Sequence, residues 1–112
     1  MKKSHILLIW ILLFVATNSH QCFAQNERIN WYFGDKAGMS FLAPDGSPTP
    51  LLNSQMFAAE GSSVISDSKG NLLFYTNSKD IWNKNHTEML NGKSLNGNST
   101  SSQAAVIVPN PN

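Results

Sequence analysis

The sequence is short of cysteine, of charge and of long apolar runs, and each shortage excludes a class of protein. Its single cysteine is Cys22, which leaves with a leader cut before Gln25, so the mature chain has no disulfide and no thiol catalysis. Charged residues make up 13% of the chain and are nearly balanced in sign, which excludes nucleic acid as a partner. The one long apolar run, Ile6–Ala16, is shorter than the roughly 20 residues of a membrane span.

The first 24 residues have the three parts of a secretory signal peptide. Lys2 and Lys3 supply a basic start, Ile6–Ala16 supplies an apolar centre, and Cys22-Phe23-Ala24 places small residues three and one before Gln25. We therefore predict a signal peptide at 1–24, export, and no membrane span after cleavage. The mature domain is then 25–112.

Two alternatives to a cleaved signal peptide fit the leader less well. An uncleaved membrane anchor needs a longer apolar run than the leader has. A lipoprotein would carry its lipid on Cys22, but processing at that cysteine favours a small preceding residue, and His20 and Gln21 stand there instead. The secretory interpretation is the stronger one.

The mature chain predicts an all-β, antiparallel fold. No segment places apolar residues at helical spacing, and runs of four to six apolar residues alternate with turn-forming residues. Asn, Ser, Gly and Pro fill more than a third of the mature positions, which is typical of a turn-rich domain. The predicted strands are Asn30–Phe33, Gly38–Leu42, Ser62–Ser66, Leu72–Thr76, Asp80–Trp82 and Gln103–Val108.

Specific turn chemistry separates these strands. Pro44-Asp45-Gly46, Asn91-Gly92 and Asn96-Gly97 are turn sequences, because proline presets φ while glycine and asparagine accept positive φ. The segment Ser66–Asn71 joins two β-prone runs and predicts a hairpin with Asp67 as its turn residue. Gly70 is expected in the left-handed conformation of a bulged loop.

A weak internal repeat suggests propeller blades. Ser62–Ser66 and Ala104–Val108 share a pattern of two small residues followed by β-branched residues, 42 positions apart, and blades of about 40 to 45 residues build β-propellers. We expect a first blade at about 29–90, a loop at 91–102 and the first strand of a second blade at 103–108. Since a ring needs at least about four blades, we expect this propeller to be incomplete. The alternative is a pair of unrelated strands in a sandwich.

Five sequence blocks, read in order, also carry a family resemblance. They are Trp31–Gly38, Glu60–Asp67, Gly70–Thr76, Trp82–His86 and Ser102–Pro109. The set resembles the amino-terminal region of large exported proteins of gliding bacteria, which carry PKD-type repeats and a gliding-motility-associated carboxy-terminal sorting domain.

The resemblance covers nearly all of the mature chain. It implies a propeller-like β-repeat, type IX secretion, and adhesion or surface structure at the cell surface or in the medium. The chain lacks the PKD-type repeats and the sorting domain, so we expect a fragment, which would stay in the periplasm if no sorting domain follows. The expected partners are the remaining blades of a larger chain or a second protein.

Oxygen and imidazole donors crowd one stretch of the chain. They are Asp80, Asn83, Asn85, His86 and Glu88, a set of donor types suited to a cation such as calcium. A turn interpretation is favoured, because the Asp-x-Asp-x-Asp-Gly spacing is absent and Lys84 sits inside the cluster. Catalysis by His86, the one mature histidine, lacks both a nucleophile elbow and a second nitrogen ligand.

Carboxylates and aromatic side chains offer a second site. Glu60, Asp67 and Asp35 are candidates for a glycosidase pair, although turns and strand starts explain each of them. The large aromatics are Trp31, Tyr32, Phe33, Phe41, Phe57, Phe74, Tyr75 and Trp82. Strand alternation buries about half of them, and the others would pack between blades or bind a surface glycan.

The sequence as a whole favours an exported, non-enzymatic β-repeat module. No catalytic, cofactor-binding or metal-ligating residue is assigned, and no cofactor is expected. The alternative is a small secreted carbohydrate-binding or carbohydrate-active domain that uses exposed aromatics together with Glu60 or Asp80.

Overall fold

The structure, a computed structural model, describes residues 26–98 and 100–108. The predicted signal peptide lies outside these residues. Apart from one 3₁₀ turn at Asn26–Arg28, all of the regular structure is β-strand, so the all-β prediction is confirmed. The strands are β1 (Asn30–Phe33), β2 (Ala37–Ser40), β3 (Thr49–Pro50), β4 (Ser63–Ser66), β5 (Leu72–Thr76) and β6 (Ile81–Asn83). Over the described ranges, no helix is long and apolar enough to cross a membrane.

The first sheet has the order β1-β2-β3 and is antiparallel. β1 and β2 pair from Asn30↔Ser40 to Phe33↔Ala37. The turn between them is tight because Gly34 and Lys36 both have positive φ, 59° and 53°. The two-residue β3 was not predicted, since proline lacks the N–H that a sheet interior requires and is tolerated only at an edge.

The second sheet, β4-β5-β6, contains the predicted hairpin. Asp67 accepts backbone hydrogen bonds on Oδ1 from Lys69 and Asn71, both at 2.9 Å. Gly70 has φ +88°, and the strand register shifts between Ile65 and Ser66. The turn role of Asp67 and the left-handed Gly70 are therefore both confirmed.

Two of the other predicted turns form as expected. Gly46 N–H donates to the Ala43 carbonyl at 2.8 Å and has φ +71°. Gly92 N–H donates to the Met89 carbonyl at 2.9 Å, with Asn91 at φ +59°. At Asn96-Gly97 the chain only bends, and neither residue has positive φ.

The two sheets are joined by side chains where β1 lies beside β4. The Asn30 amide donates to Ser66 Oγ at 2.9 Å and to the Gly70 carbonyl at 2.7 Å. The Ser62 hydroxyl donates to the Tyr32 carbonyl at 2.7 Å. These contacts show that β1 and β4 run in opposite directions. We call this row of contacts between β1 and β4 the seam.

The predicted strand at Gln103–Val108 is wrong. These residues have no strand pairing, although they pass close to the start of β4. The contacts there are a bond from Gly61 N–H to the Ser101 carbonyl at 3.0 Å and one from the Ser63 hydroxyl to the Ala105 carbonyl at 2.6 Å. The Ala105 carbonyl, which would accept a backbone N–H in a strand pairing, accepts the Ser63 hydroxyl instead. The range 29–90, expected as one blade, holds both sheets.

Replacing Gly70 by valine should destabilise the domain by about 3 kcal/mol, because a β-branched residue is strained at positive φ and the added atoms overpack the site. A Cβ at Gly70 would lie 2.9 Å from Leu42 Cδ1 and 3.2 Å from Ile29 Cγ2. Gly46→Val is the matched control, because φ is again positive but nothing lies within 4 Å of its Cβ position. Chemical unfolding should show a larger loss of unfolding free energy for Gly70→Val than for Gly46→Val. Equal losses would contradict the close packing of Gly70 against Leu42 and Ile29.

Candidate functional site

The donor-rich stretch at 80–88 is built as a turn. Asn83 Oδ1 accepts hydrogen bonds from Asn85 N–H at 2.9 Å, from Thr87 N–H at 3.2 Å and from the Thr87 hydroxyl at 3.0 Å. Three donors on one amide oxygen hold the chain as it leaves β6. This is the use of an asparagine side chain that the turn interpretation predicts.

The charged members of the same stretch point to other partners. Asp80 Oδ1 accepts the Ser94 N–H at 2.9 Å, and Glu88 forms a surface ion pair with Lys93 at 3.0 Å. Within residues 26–98 and 100–108, no group of three or more His, Cys, Asp or Glu side chains is arranged to hold a metal ion. Residues 80–88, all of which the structure describes, therefore bring no such group of metal ligands together.

His86 belongs to a hydrogen-bonded network around a buried tyrosine. Its Nδ1 lies 3.2 Å from the Tyr75 hydroxyl, which also accepts the Gln55 N–H at 3.1 Å. We assign the Tyr75 hydroxyl as the hydrogen-bond donor to His86 Nδ1, because Tyr75 then donates one hydrogen bond and accepts one. The imidazole is then neutral, with its own proton on Nε2. Burial lowers the pKa of His86, which also favours the neutral ring.

Three of the eight aromatics form a buried stack between the sheets. The ring centroids of Tyr32 and Tyr75 are 4.7 Å apart, and those of Tyr75 and Trp82 are 5.4 Å apart. The Tyr32 hydroxyl donates to Asn53 Oδ1 at 2.9 Å. Burial, and then the nearby Tyr75, raise the pKa of Tyr32. These rings are core and are not a ligand platform.

The remaining aromatics of β1 line an open groove. Trp31 is 53% exposed and Phe33 40% exposed, and both border a groove of about 760 Å³. Its other walls are the start of β4 and the segment at 103–107. The lining residues are Arg28, Asn30, Trp31, Tyr32, Phe33, Ser62, Ser63, Val64, Ile65, Gln103, Ala105, Val106 and Ile107. We call this space the aromatic groove.

The candidate carboxylates do not reach the aromatic groove. Glu60, Asp35, Asp67 and Asp80 are all absent from its lining. Asp67 and Asp80 are engaged in turns, where Asp67 also accepts the Asn71 side-chain amide at 2.8 Å. The exposed aromatics and the predicted acids are therefore separate, and the structure brings no aromatic–carboxylate pair together in this groove.

Two polar groove residues, Arg28 and Gln103, were not singled out from the sequence. Each is an ordinary polar residue in its local context. What brings them together is the placement of the segment at 103–107 beside β4, which joins residues about 75 positions apart. A local sequence pattern carries no signal for such a contact.

Acid should weaken the His86 network. Because burial holds the folded-state pKa of His86 below its ordinary value of 6.5, its contribution is complete above pH 6.5 and is lost as pH falls through the lowered pKa. The free energy of unfolding should therefore fall as the pH is lowered from about 7.5 to about 5. His86→Asn, which tolerates the observed φ of +59°, should flatten that slope. An unchanged slope would exclude His86 as its origin.

Comparison of the chain with protein-family models, with curated proteins and with solved structures finds no match. Its function is therefore inferred from the chemistry of its residues. That inference starts from the aromatic groove and from the unpaired segment at 103–108.

Proposed function

We propose that the chain is an exported, non-enzymatic β-repeat module of a cell-surface or secreted protein, with a role in adhesion or surface structure. The observation that carries the proposal is the position of the segment after the second sheet. It runs in the same direction as the chain that enters β4: Gly61 contacts Ser101, and Ser63 contacts Ala105. The second pair is separated by 42 residues, the spacing of the internal repeat.

This arrangement supports a propeller-like repeat. In repeat architectures, equivalent segments of successive units lie side by side, and each unit covers a face that its neighbour leaves exposed. The hydrogen bond from the Ser63 hydroxyl in β4 to the Ala105 carbonyl in the run Ala104–Val108 supports this interpretation. Further blades, from a longer chain or from a protein partner, would continue the series.

Exposed apolar side chains support a partner at the same place. Val106 is 72% exposed and Val108 is 75% exposed, at the end of the run that follows β4. Solvated valines in a β-prone run without strand pairing are the kind of surface that another strand covers. The remaining units of the proposed repeat would supply that strand.

The polar chemistry also supports a binding or structural role. The imidazole of His86 is bonded to Tyr75, and the carboxylates of Asp67 and Asp80 hold turns. A catalytic group must be directed at a substrate, whereas these groups are directed at the protein's own backbone and side chains. The resemblance to exported proteins of gliding bacteria points to a surface role.

Export is tested by expressing the whole chain with a carboxy-terminal tag in a bacterial host. We expect the periplasm or medium to contain a product that begins at Gln25, because the leader has the parts of a cleavable signal peptide. Intact mass and amino-terminal sequencing measure this. Ala24→Arg, which places a large charged residue before the cut, should block cleavage.

Three results would contradict this proposal. A cytoplasmic product that retains Met1 would contradict the proposed export. A product that begins at a lipid-modified Cys22 would replace the secretory interpretation by the lipoprotein one. Turnover of any polysaccharide or peptide by the purified mature chain would remove the non-enzymatic assignment.

A further inference from the structure

We propose that the aromatic groove binds an acidic oligosaccharide, with Trp31 and Phe33 stacking on sugar rings and Arg28 binding a sugar carboxylate. This inference goes beyond a structural module, because it gives the chain a ligand of stated chemistry. It rests on the geometry of the groove and does not depend on export.

The aromatic wall follows from strand geometry. Trp31 and Phe33 are two residues apart in β1 and therefore share one face, about 7 Å apart along the strand. Asn30 and Tyr32 alternate with them along β1 and are buried. Two exposed rings in a row offer apolar surface to the C–H face of consecutive sugar units, while sugar hydroxyls stay in contact with water.

The Trp31 ring is held in place before any ligand arrives. Its Nε1–H donates to the Arg28 carbonyl at 3.0 Å. Its ring meets Phe41 edge to face, with centroids 5.2 Å apart and an angle of 62°. A ring fixed by two contacts loses little conformational freedom on binding, which favours affinity.

The charge at the groove selects the class of sugar. Arg28 is the one charged residue in its lining, and no acidic residue is present there. Arg28 also borders a smaller neighbouring groove of about 530 Å³, together with Glu27 and Asp67, but over the described residues it forms no ion pair with either carboxylate. A guanidinium pairs with a carboxylate through two parallel hydrogen bonds, and no acidic residue lines the aromatic groove itself, so a uronic acid suits this groove better than a neutral sugar.

Polar groups complete the groove. Arg28 and Gln103 bring a guanidinium and a side-chain amide to the groove. The Ser63 hydroxyl donates to the Ala105 carbonyl at 2.6 Å and keeps its acceptor capacity. This mixture of ring faces, an amide and a cation fits a sugar, which is apolar on its ring faces and polar at its edges.

The test uses the mature chain and two defined probes, hexagalacturonate and the neutral cellohexaose, at equal ionic strength. Residues 25–112 contain two tryptophans, the exposed Trp31 and the buried Trp82, so a change in tryptophan emission on binding reports Trp31. We expect saturable binding of hexagalacturonate, measured by fluorescence and calorimetry, and binding of cellohexaose at least about tenfold weaker.

Matched variants separate stacking from charge. Trp31→Ala should weaken hexagalacturonate binding at least about tenfold, as read by calorimetry. Arg28→Gln should abolish the preference over cellohexaose. Phe57→Ala is the control, because Phe57 is a 60% exposed aromatic outside the groove, and its binding should match that of the unmodified chain.

Each contrary result overturns the proposal. These results are no binding of either probe, equal binding of both, or unchanged binding in Trp31→Ala. Binding that an apolar peptide displaces with equal affinity would reassign the groove to a protein partner. If Trp31→Ala unfolds, Trp31→Phe and the surface variant Arg28→Gln carry the same test. Correct export without glycan binding would remove this inference alone.

Discussion

The contact between Tyr32 and Tyr75 is the interaction on which the rest of the structure depends. Each sheet has three short strands, and a sheet of that size gains independent stability only by covering an apolar face. The two rings stack at 4.7 Å, one from each sheet. Tyr32 also lies across Gly38, where a Cβ would be 2.7 Å from its ring. A glycine in β2 thus makes room for the ring that joins the sheets.

The composition of the chain makes sense in the light of that small core. Only five apolar residues are buried among those described, so much of the interior is polar and is held by hydrogen bonds. The buried Thr76 hydroxyl donates to the Asp80 carbonyl at 2.8 Å, and the Asn77 amide donates to the Phe57 carbonyl at 2.8 Å. Asparagine, serine and threonine act here as connectors inside the fold as well as turn formers.

Local structure was predictable from the sequence, and long-range placement was not. The hairpin around Gly70 and five of the strands follow from alternation and turn chemistry, with bounds within two residues. The segment Gln103–Val108 has equal β-propensity but lacks the pairing that turns propensity into a strand. About half of the large aromatics were expected in the core, but three are buried, because the Trp31 and Phe33 face of β1 is left uncovered. The aromatic groove depends on where that distant segment lies.

The seam has a consequence for how the chain closes on itself. Pairing within each sheet joins strands through short connections. The hydrogen bonds of the seam instead link residues 30, 36 and 40 positions apart. Loop-closure entropy rises with the length of chain that is closed, so the contacts of the seam cost more entropy to close than the pairings within each sheet. The stacked tyrosines supply the attraction that offsets this cost.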